Sequence, residues 1–353
     1  HRDSNHDYVC DVCNKNLLSE NSDSFLPVAT VDDLREIVNH PSFNYKLTAD
    51  IDLSNVDWKP ICDEDKPFKG TFYGNGFLIK GLHCNLTSST NEQVFGLFKV
   101  NEGTIINLCL DSPTFNVSDT KAIVGGIAVI NKGSIIDCSI KNGITIVVKA
   151  YLTLDNNQFN SGNYVLSNQL EVTIGGLVGR NEVNAVVDKC SILGTQNVEA
   201  VVFANLTASV NLSNIGIYNS KAKVEMNLTL NYGGIVGYNK GTVSNSNAMD
   251  GNSGIGIAVI SRLSTFMGKA YSKLNLYANA ICGNNGNGND EDAAGKLLDN
   301  NYSEFKRYDN CQSAEELVEG LVGRFLTYAK KNASFLNGRL YTIESNIVDH
   351  IND

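Results

Sequence analysis

The chain is poor in the residues on which several functional classes depend. Only five of its 353 residues are histidine, and no segment concentrates lysine and arginine. The 38 acidic residues outnumber the 28 basic ones, which leaves a net charge of -10. Because proteins that bind nucleic acid contact its phosphates with clustered cations, the composition argues against a nucleic-acid partner.

Long hydrophobic runs are also missing. No apolar segment approaches the roughly 20 residues that cross a bilayer, so we predict no membrane span. The glycine-rich segments are not followed by Lys-Ser or Lys-Thr, which argues against a phosphate-binding loop. The nine cysteines are an odd number and lack the spacing of a small disulfide scaffold. Hydrophobic residues make up 42% of the chain, which is enough for a folded core.

One phrase recurs along the chain. It reads YGGIVGYNKGTVSNS from Tyr232, VFGLFKVNEGTIINL from Val94 and VGGIAVINKGSIIDC from Val124. A looser copy, IGGLVGRNEVNAVVDKC, begins at Ile174, and a fainter one, NAICGNNGNG, begins at Asn279. A phrase that repeats in this way predicts a repeated structural unit.

The four clear copies share a fixed offset between a glycine and an asparagine. The asparagine follows five residues after the glycine in the pairs Gly96 and Asn101, Gly126 and Asn131, Gly176 and Asn181, and Gly234 and Asn239. A second glycine comes two residues later at Gly103, Gly133 and Gly241, whereas the third copy has Val183. Because glycine adopts a positive φ without steric penalty, we interpret Asn-x-Gly as a tight turn between strands.

The apolar runs beside this turn are short and rich in β-branched residues, which favours strands over helices. Successive copies are 30, 50 and 58 residues apart, which indicates a basic unit with insertions. We predict an all-β chain that forms a parallel β-helix, in which each strand pairs with its equivalent roughly 4.8 Å away. The amides of Asn101, Asn131, Asn181 and Asn239 would then form a hydrogen-bonded column. An antiparallel sandwich also has short strands, but it does not explain the fixed asparagine offset.

Three segments resemble the GLUG-motif repeats of bacterial surface proteins. They are GGIVGYNKGTVSN from Gly233, FKGTFYGNGFLIKGLHCN from Phe68, and VDDLREIVNHPSFNYKLTADIDLSNVDWKPI from Val31. The resemblance covers residues 25–290 and departs from the pattern at Val183 and in two long insertions. It implies a right-handed β-helix in a secreted or cell-surface protein. It implies no catalytic residues, although some secreted peptidases contain such repeats as accessory segments.

The sequence divides into three parts. Residues 1–24 are a polar lead-in or linker, residues 25–290 hold the coils, and residues 291–353 are predicted to form a helical cap. The insertions fall near 141–173 and 193–231, and we expect them to be extra hairpins or long excursions on one face.

Helical caps are predicted at both ends of the coils, because a bare end coil exposes strand edges. Residues 31–39 read as a short helix with Thr30 as its N-cap. The segment SAEELVEGLVGRFLTYAKK has an apolar stripe at helical spacing, and Ser313 and Glu316 match a capping box. Beyond it, Asn337-Gly338 predicts the turn of a hairpin.

The segment HRDSNHDYVCDVC contains most of the metal-binding residue types. A tetrahedral zinc site would use His1, His6, Cys10 and Cys13. A calcium site would instead use the oxygens of Asp3, Asn5, Asp7 and Asp11. The third alternative is a linker without metal, and we predict no cofactor for the rest of the chain.

Candidates for catalysis are few. Asp50 and Asp52 alternate on one strand and share a face, as a carboxylate pair for glycoside hydrolysis would require. The resemblance to GLUG repeats, in which these positions open the first coil, implies a structural role for them instead. Arg180 stands alone as a candidate base. His83 and Cys84 are neighbours on a strand, so their side chains point to opposite sides. We therefore predict that the protein is not an enzyme.

Aromatic residues in the insertions suggest a ligand face, because exposed aromatics stack on sugars or anchor proteins. They are Tyr151, Phe159, Tyr164, Phe203 and Tyr218. The alternative is that they pack the insertions onto the coils. We predict a secreted or cell-surface monomer that acts as an adhesin or structural spacer, with a glycan or protein on a host or neighbouring cell as partner. The alternatives are a carbohydrate-binding or carbohydrate-active β-helix and an accessory segment of a secreted peptidase.

Overall fold

A computed structural model describes most of the chain between residues 25 and 343. The described residues are 25–85, 93–118, 121–156, 164–194, 196–208, 222–248, 254–279, 281–286, 295–298, 300, 316–336 and 339–343. They form an all-β structure with four sheets, one α-helix, α1 (Val31–Glu36), and one 3-10 turn, Ile37–Asn39. This part of the chain contains no helix with the length and apolar character that a membrane crossing requires.

The strands are numbered in chain order, and the first two sheets are built from short strands. Sheet 1 contains β1 (Leu26–Val28), β2 (Tyr45–Leu47), β4 (Thr71–Tyr73), β9 (Thr104–Ile106), β14 (Ser134–Ile136), β19 (Val186–Asp188), β24 (Thr242–Ser244) and β27 (Lys296–Leu298). Sheet 2 contains β3 (Ile51–Asp52), β5 (Leu78–Lys80), β10 (Cys109–Asp111), β15 (Ser139–Lys141) and β20 (Ser191–Ile192).

Sheet 3 is the largest. It contains two runs of neighbouring strands. The first run is β6 (His83–Asn85), β11 (Thr114–Val117), β16 (Ile144–Asn156) and β21 (Gln196–Ala208), and the second is β7 (Gln93–Phe95), β12 (Lys121–Gly125), β17 (Tyr164–Gly175) and β22 (Ala222–Gly233). The two runs are joined by β25 (Gly254–Asn279), which pairs with both β21 and β22. β25 also pairs with β28 (Glu316–Leu336), which in turn pairs with β29 (Arg339–Ile343). Sheet 4 contains β8 (Phe98–Asn101), β13 (Ala128–Asn131), β18 (Val178–Asn181), β23 (Val236–Asn239) and β26 (Cys282–Asn284).

The chain visits the four sheets in a repeating order. From β9 in sheet 1 it passes through β10 in sheet 2, β11 and β12 in sheet 3 and β13 in sheet 4, and returns to sheet 1 as β14. We call one such passage, from sheet 1 back to sheet 1, a circuit. Each of these strands pairs in parallel with its equivalent one circuit later, as Ile105 in β9 pairs with Ile135 in β14. Strands this short cannot pair their backbone groups within one circuit, so the neighbouring circuits supply the partners.

The core consists of apolar columns that run from circuit to circuit. In sheet 1, Ile105, Ile135, Val187 and Val243 follow one another in register, and all four are fully buried. Burying a side chain of this size stabilises the fold by roughly 2 kcal/mol. The same residue type at the same position in each circuit thus gives a continuous core.

The predicted N-terminal helix is confirmed. Thr30 is its N-cap, and its hydroxyl oxygen accepts a hydrogen bond from the backbone N–H of Asp33 at 3.1 Å. Asp33 Oδ2 accepts the backbone N–H of Thr30 at 2.8 Å, which completes a capping box. Leu34 and Ile37 are fully buried in the core, so the helix packs against the first circuit.

The two insertions lengthen strands of sheet 3. They provide most of β16 and β17 near 141–173, and most of β21 and β22 near 193–231. β16 pairs in parallel with β21, and β17 with β22, so the insertions are not hairpins. At their base, the hydroxyl of Tyr232 in β22 donates to Oε1 of Gln196 in β21 at 2.7 Å. The chain therefore leaves and rejoins the core at neighbouring points, which makes the insertions long excursions.

The predicted C-terminal helix is wrong, because its residues form the strand β28. This strand pairs antiparallel with β25, from Ser272 opposite Glu316 to Gly254 opposite Ser334. Gly320 and Gly323 would each destabilise a helix by about 1 kcal/mol relative to alanine. Pairing with β25 instead provides hydrogen-bond partners for the backbone groups of the segment. Tertiary pairing thus overrides the local periodicity, and among the described residues a helical cap is present at the N-terminal end alone. Leu336 in β28 pairs with Arg339 in β29, so two residues separate the paired positions, as the predicted hairpin requires.

Candidate functional site

The structure brings the four predicted asparagines together in one column where sheet 4 meets sheet 1. The Asn101 amide nitrogen donates to Asn131 Oδ1, that of Asn131 to Asn181 Oδ1, and that of Asn181 to Asn239 Oδ1, each at 2.8 Å. All four residues are fully buried. Asn285, in the faint fifth copy, accepts the next bond from Asn239 at 2.8 Å. The column therefore links five successive circuits.

Each asparagine also closes its own turn. Asn101 Oδ1 accepts the backbone N–H of Gly103 at 3.2 Å, and Asn239 Oδ1 accepts that of Gly241 at 3.1 Å. The amide nitrogen of Asn101 reaches the Gly103 carbonyl oxygen at 3.3 Å as well. Asparagine suits this position because its amide both donates and accepts, so one side chain can bond its own turn and the next circuit.

The turn glycines are required for a reason that differs from our prediction. The described residues with positive φ include Gly76 and Gly143, but not Gly103, Gly133 or Gly241. A Cβ on Gly133 would lie 2.1 Å from the carbonyl oxygen of Gly103, and one on Gly103 would lie equally close to that of Gly70. The glycines thus allow close stacking of backbones rather than a left-handed turn.

The third copy fits the column through a longer turn. Val186 pairs with Ser134 and Thr242, so Ala185, and not Val183, stands at the glycine position. The two extra residues project outward, since Val183 is 60% exposed and Asn184 has a φ of 67°. Counting from the asparagine of each copy therefore assigned the glycine position to Val183, whereas Ala185, two residues later, occupies it in the structure.

A second column of polar side chains forms hydrogen bonds with backbone groups at the corner between sheets 1 and 2. The Cys138 thiol accepts the backbone N–H of Leu108 at 3.4 Å and donates to the carbonyl oxygen of Ile136 at 3.2 Å. Ser246, two circuits later, accepts the backbone N–H of Cys190 at 3.1 Å. Cys138 and Cys190 are both buried, and burial raises the pKa of the Cys138 thiol well above its usual value. Besides filling the core, these residues pair backbone groups.

A cavity lies between α1, the 3-10 turn that follows it and the loop after β3. This cavity has a volume of about 770 Å³, and its lining includes Arg35, Trp58, Cys62, Asp63 and Lys66. Trp58 is 1% exposed, and its indole N–H donates to the Leu97 carbonyl oxygen at 3.1 Å. No sequence pattern indicated this cavity, because it forms only where the helix and a distant loop meet.

The Cys62 thiol in this cavity is not activated as a nucleophile. Burial, followed by the charge of Asp63, raises the pKa of the Cys62 thiol to about 12. A thiol with that pKa stays protonated at neutral pH and is a poor nucleophile. Asp63 Oδ1 accepts the backbone N–H groups of Asp65 and Lys66 at 3.1 and 3.0 Å, so its carboxylate holds the loop.

The predicted carboxylate pair is engaged in structural bonds. Asp50 forms an ion pair with Lys80 at 2.7 Å and accepts the backbone N–H of Leu78 at 2.9 Å. The Lys80 hydrogen bond is the main reason why the pKa of Asp50 is lowered. Asp52 Oδ1 accepts the backbone N–H of Ser54 at 2.8 Å, and hydrogen bonds from Ser54 lower its pKa.

Arg180 lies beside an aromatic ring that no sequence pattern indicated. Its guanidinium carbon is 5.9 Å from the centroid of the Tyr238 ring, and the Lys240 ammonium is 5.5 Å from the same centroid. Glu171 Oε1 lies 3.9 Å from the Arg180 guanidinium. Arg180 in β18 and Tyr238 in β23 are register partners on neighbouring strands of sheet 4, and this pairing brings the two side chains together.

The predicted ligand face is only partly described. Tyr151 in β16 pairs with Phe203 in β21, which makes them neighbours in sheet 3, whereas Tyr164 lies in β17. Phe159 and Tyr218 lie outside the described residues. The ligand face remains a prediction.

The predicted metal ligands also lie outside the described residues, namely His1, His6, Cys10 and Cys13 for zinc and Asp3, Asn5, Asp7 and Asp11 for calcium. Within the described part of the chain, no group of three or more His, Cys, Asp or Glu residues is placed to hold a metal ion.

Comparison with known proteins gives distant structural likenesses alone. No protein-family model matches the chain, and no curated protein matches it. A crystal structure of a proposed immunoglobulin A1 protease from Bacteroides ovatus is similar at a TM-score of 0.36 and 17% identity, over 78% of this chain and 83% of that one. A structure of an IgA1 protease is similar at a TM-score of 0.30 and 16% identity, over 86% of this chain but 23% of the other. Likenesses at this level establish no activity for the chain.

Proposed function

We propose that this chain is a right-handed parallel β-helix of the GLUG-repeat type, which serves as a rigid, non-catalytic module of a secreted or cell-surface protein. The asparagine column supports this proposal most directly. It links residues up to 58 positions apart with hydrogen bonds of 2.8 Å, so successive circuits are held in one register. A stack held in register over its length resists bending, which suits a spacer or the stalk of an adhesin.

The candidate reactive groups are consistent with a non-catalytic role. Asp50 and Asp52 are held by neighbouring lysine and backbone groups. The thiols of Cys62 and Cys84 have their pKa values raised to about 12 by burial. His83 Nδ1 lies 3.1 Å from the carbonyl oxygen of Gly81, two residues away. The two carboxylates are thus committed to structural bonds, and the two thiols stay protonated at neutral pH.

Removal of one complete circuit tests the architecture. Thr104 and Ser134 are register partners, so deletion of residues 104–133 joins Gly103 to Ser134 and lets Asn101 meet Asn181. We expect a folded chain that unfolds cooperatively in urea and is about 4.8 Å shorter. Deletion of residues 104–118, which removes part of a circuit, is the matched control and should unfold the chain. Equal effects of the two deletions would contradict a repeating coil.

Location is tested on intact source cells. If the module is displayed, a protease added outside the cells should release peptides of this chain that mass spectrometry identifies. Culture supernatant should be analysed in parallel, because a secreted form would appear there. Peptides that appear only after lysis would contradict the proposed location without affecting the proposed fold.

A further inference from the structure

The aromatic ring of Tyr238 has two cationic neighbours on the surface of sheet 4. Arg180 approaches it from the adjacent strand at 5.9 Å, and Lys240 from two residues along the chain at 5.5 Å. All three residues are half-buried, so each side chain keeps part of its surface accessible to solvent. We call these three residues the Tyr238 platform.

The platform has an excess of positive charge in a chain that is acidic overall. Among the described residues, Glu171 is the carboxylate within ion-pair distance of Arg180, at 3.9 Å, and its side chain is 50% exposed. No carboxylate among the described residues forms an ion pair with Lys240. By contrast, Lys132 stands at the equivalent corner, one residue after its column asparagine, and bonds Glu102 at 3.2 Å. Glu182 occupies the position of Glu102 in the circuit before Lys240, but it forms no ion pair with Lys240, whose ammonium lies over the Tyr238 ring instead.

The surroundings of the platform favour a sugar over a peptide strand. β18, which carries Arg180, is paired on both sides, and so is β23, which carries Tyr238. Neither strand has a free edge that could pair with an extended peptide. A phenol ring, however, presents a face on which the C–H groups of one hexose ring can stack.

We propose that the Tyr238 platform binds an acidic sugar of a glycan chain. The ring of the sugar stacks on Tyr238, and its carboxylate accepts hydrogen bonds from Lys240 and Arg180. Exposed Glu171 moves away from Arg180 when the sugar carboxylate takes its place. This inference goes beyond the proposed function, because a rigid module needs no ligand.

Titration of the full chain with oligogalacturonate, followed by calorimetry, tests the proposal. We expect binding that weakens as salt rises, since the carboxylate contact is screened. Lys240→Gln and Tyr238→Leu should each weaken binding about tenfold or more, which is the range for loss of one charged or stacking contact. Lys132→Gln is the matched control and should bind as the parent does.

Four results would overturn the proposal. They are absence of oligogalacturonate binding by the parent, equal binding of a neutral malto-oligosaccharide, equal binding of polyglutamate, and parent-like affinity in both Lys240→Gln and Tyr238→Leu. Urea unfolding of every variant shows whether a loss of binding reflects a loss of fold. Lys240→Gln keeps most of the aliphatic stem and removes a charge that forms no ion pair among the described residues, so it keeps the test valid if Tyr238→Leu is unstable. Failure to bind would leave the proposed module intact, because the circuit deletions test that separately.

Discussion

Asn131 donates its side-chain amide to Asn181 Oδ1 across 2.8 Å, although the two residues are 50 positions apart in the chain. The same bond joins Asn101 to Asn131 across 30 positions and Asn181 to Asn239 across 58. The bond length does not change with the length of chain between the partners. Most of the extra residues are therefore accommodated in the long strands of sheet 3, and the column keeps one bond length even where the turn of the third copy is two residues longer.

We predict that Asn131→Ala strongly destabilises the fold. The change removes the acceptor of the Asn101 amide and the donor to Asn181, and both partners are fully buried. Each buried polar group left unpaired costs about 1–3 kcal/mol, so we expect a loss of roughly 2–5 kcal/mol in the free energy of unfolding. Urea denaturation measures it. Asn55→Ala, at an exposed turn, should change stability by less than about 0.5 kcal/mol, and comparable losses in the two variants would contradict the role of the column.

Substitution of two glycines by asparagine separates a steric from a conformational requirement. Gly76 has a φ of 80° and open space around its Cβ position, and asparagine tolerates that conformation, so Gly76→Asn should cost about 1 kcal/mol or less. Gly133→Asn should cost about 3 kcal/mol or more, because its Cβ would lie 2.1 Å from the Gly103 carbonyl oxygen. Unfolding curves of both variants give the comparison. The reverse order would restore the interpretation as a left-handed turn.

Cys138 offers a test of the second polar column. Cys138→Ser keeps an acceptor for the Leu108 N–H, as Ser246 does for Cys190, whereas Cys138→Val keeps an apolar side chain at the site and loses the acceptor. We expect the valine variant to be less stable than the serine variant by about 1–3 kcal/mol, the cost of a buried unpaired N–H. Thermal and urea unfolding provide the values. A valine variant that matches the parent would show that Cys138 acts through packing alone.

Asp188 should make the fold sensitive to acid. Hydrogen bonds from Asn245, at 2.8 Å, and then Ser244, at 2.7 Å, hold the pKa of Asp188 below the ordinary value of 3.8. A carboxyl whose pKa is lower in the folded state contributes stability above its unfolded pKa and loses it as pH falls through the folded pKa. Between about pH 5 and about pH 2.5, the parent should therefore lose more stability than Asp188→Asn. Urea unfolding across that range checks this, and identical slopes would exclude Asp188 as a contributor.

The asparagine column was predictable because its signal is periodic. A fixed offset of five residues between glycine and asparagine recurs at Asn101, Asn131, Asn181 and Asn239, and only a stacked arrangement uses such an offset. The short helix at Val31 was predictable for a different reason. Its capping box lies within four residues, Thr30 to Asp33, so the interaction that starts the helix is local.

The cavity beside Trp58 and the Tyr238 platform were not predictable in this way. Arg35 and Asp63 line one cavity because a helix and a loop pack together, and no spacing in the chain records that distance. Arg180 meets Tyr238 because the two circuits lie in register after a long insertion. The identity of each residue is visible in the sequence, but its neighbour is not.

The sequence by itself determined the repeating unit, the pairing of equivalent strands and the buried amides, because these depend on residue type at a constant offset. Tertiary structure decided why Gly133 must be glycine, which residue replaces it in the third copy, and that Glu316–Leu336 form a strand. These outcomes depend on backbone atoms from other circuits, namely a carbonyl oxygen that leaves no room for a Cβ and the backbone groups of β25 that pair with β28. A local sequence pattern contains no information about such distant atoms, and so periodicity alone gave the wrong answer for them.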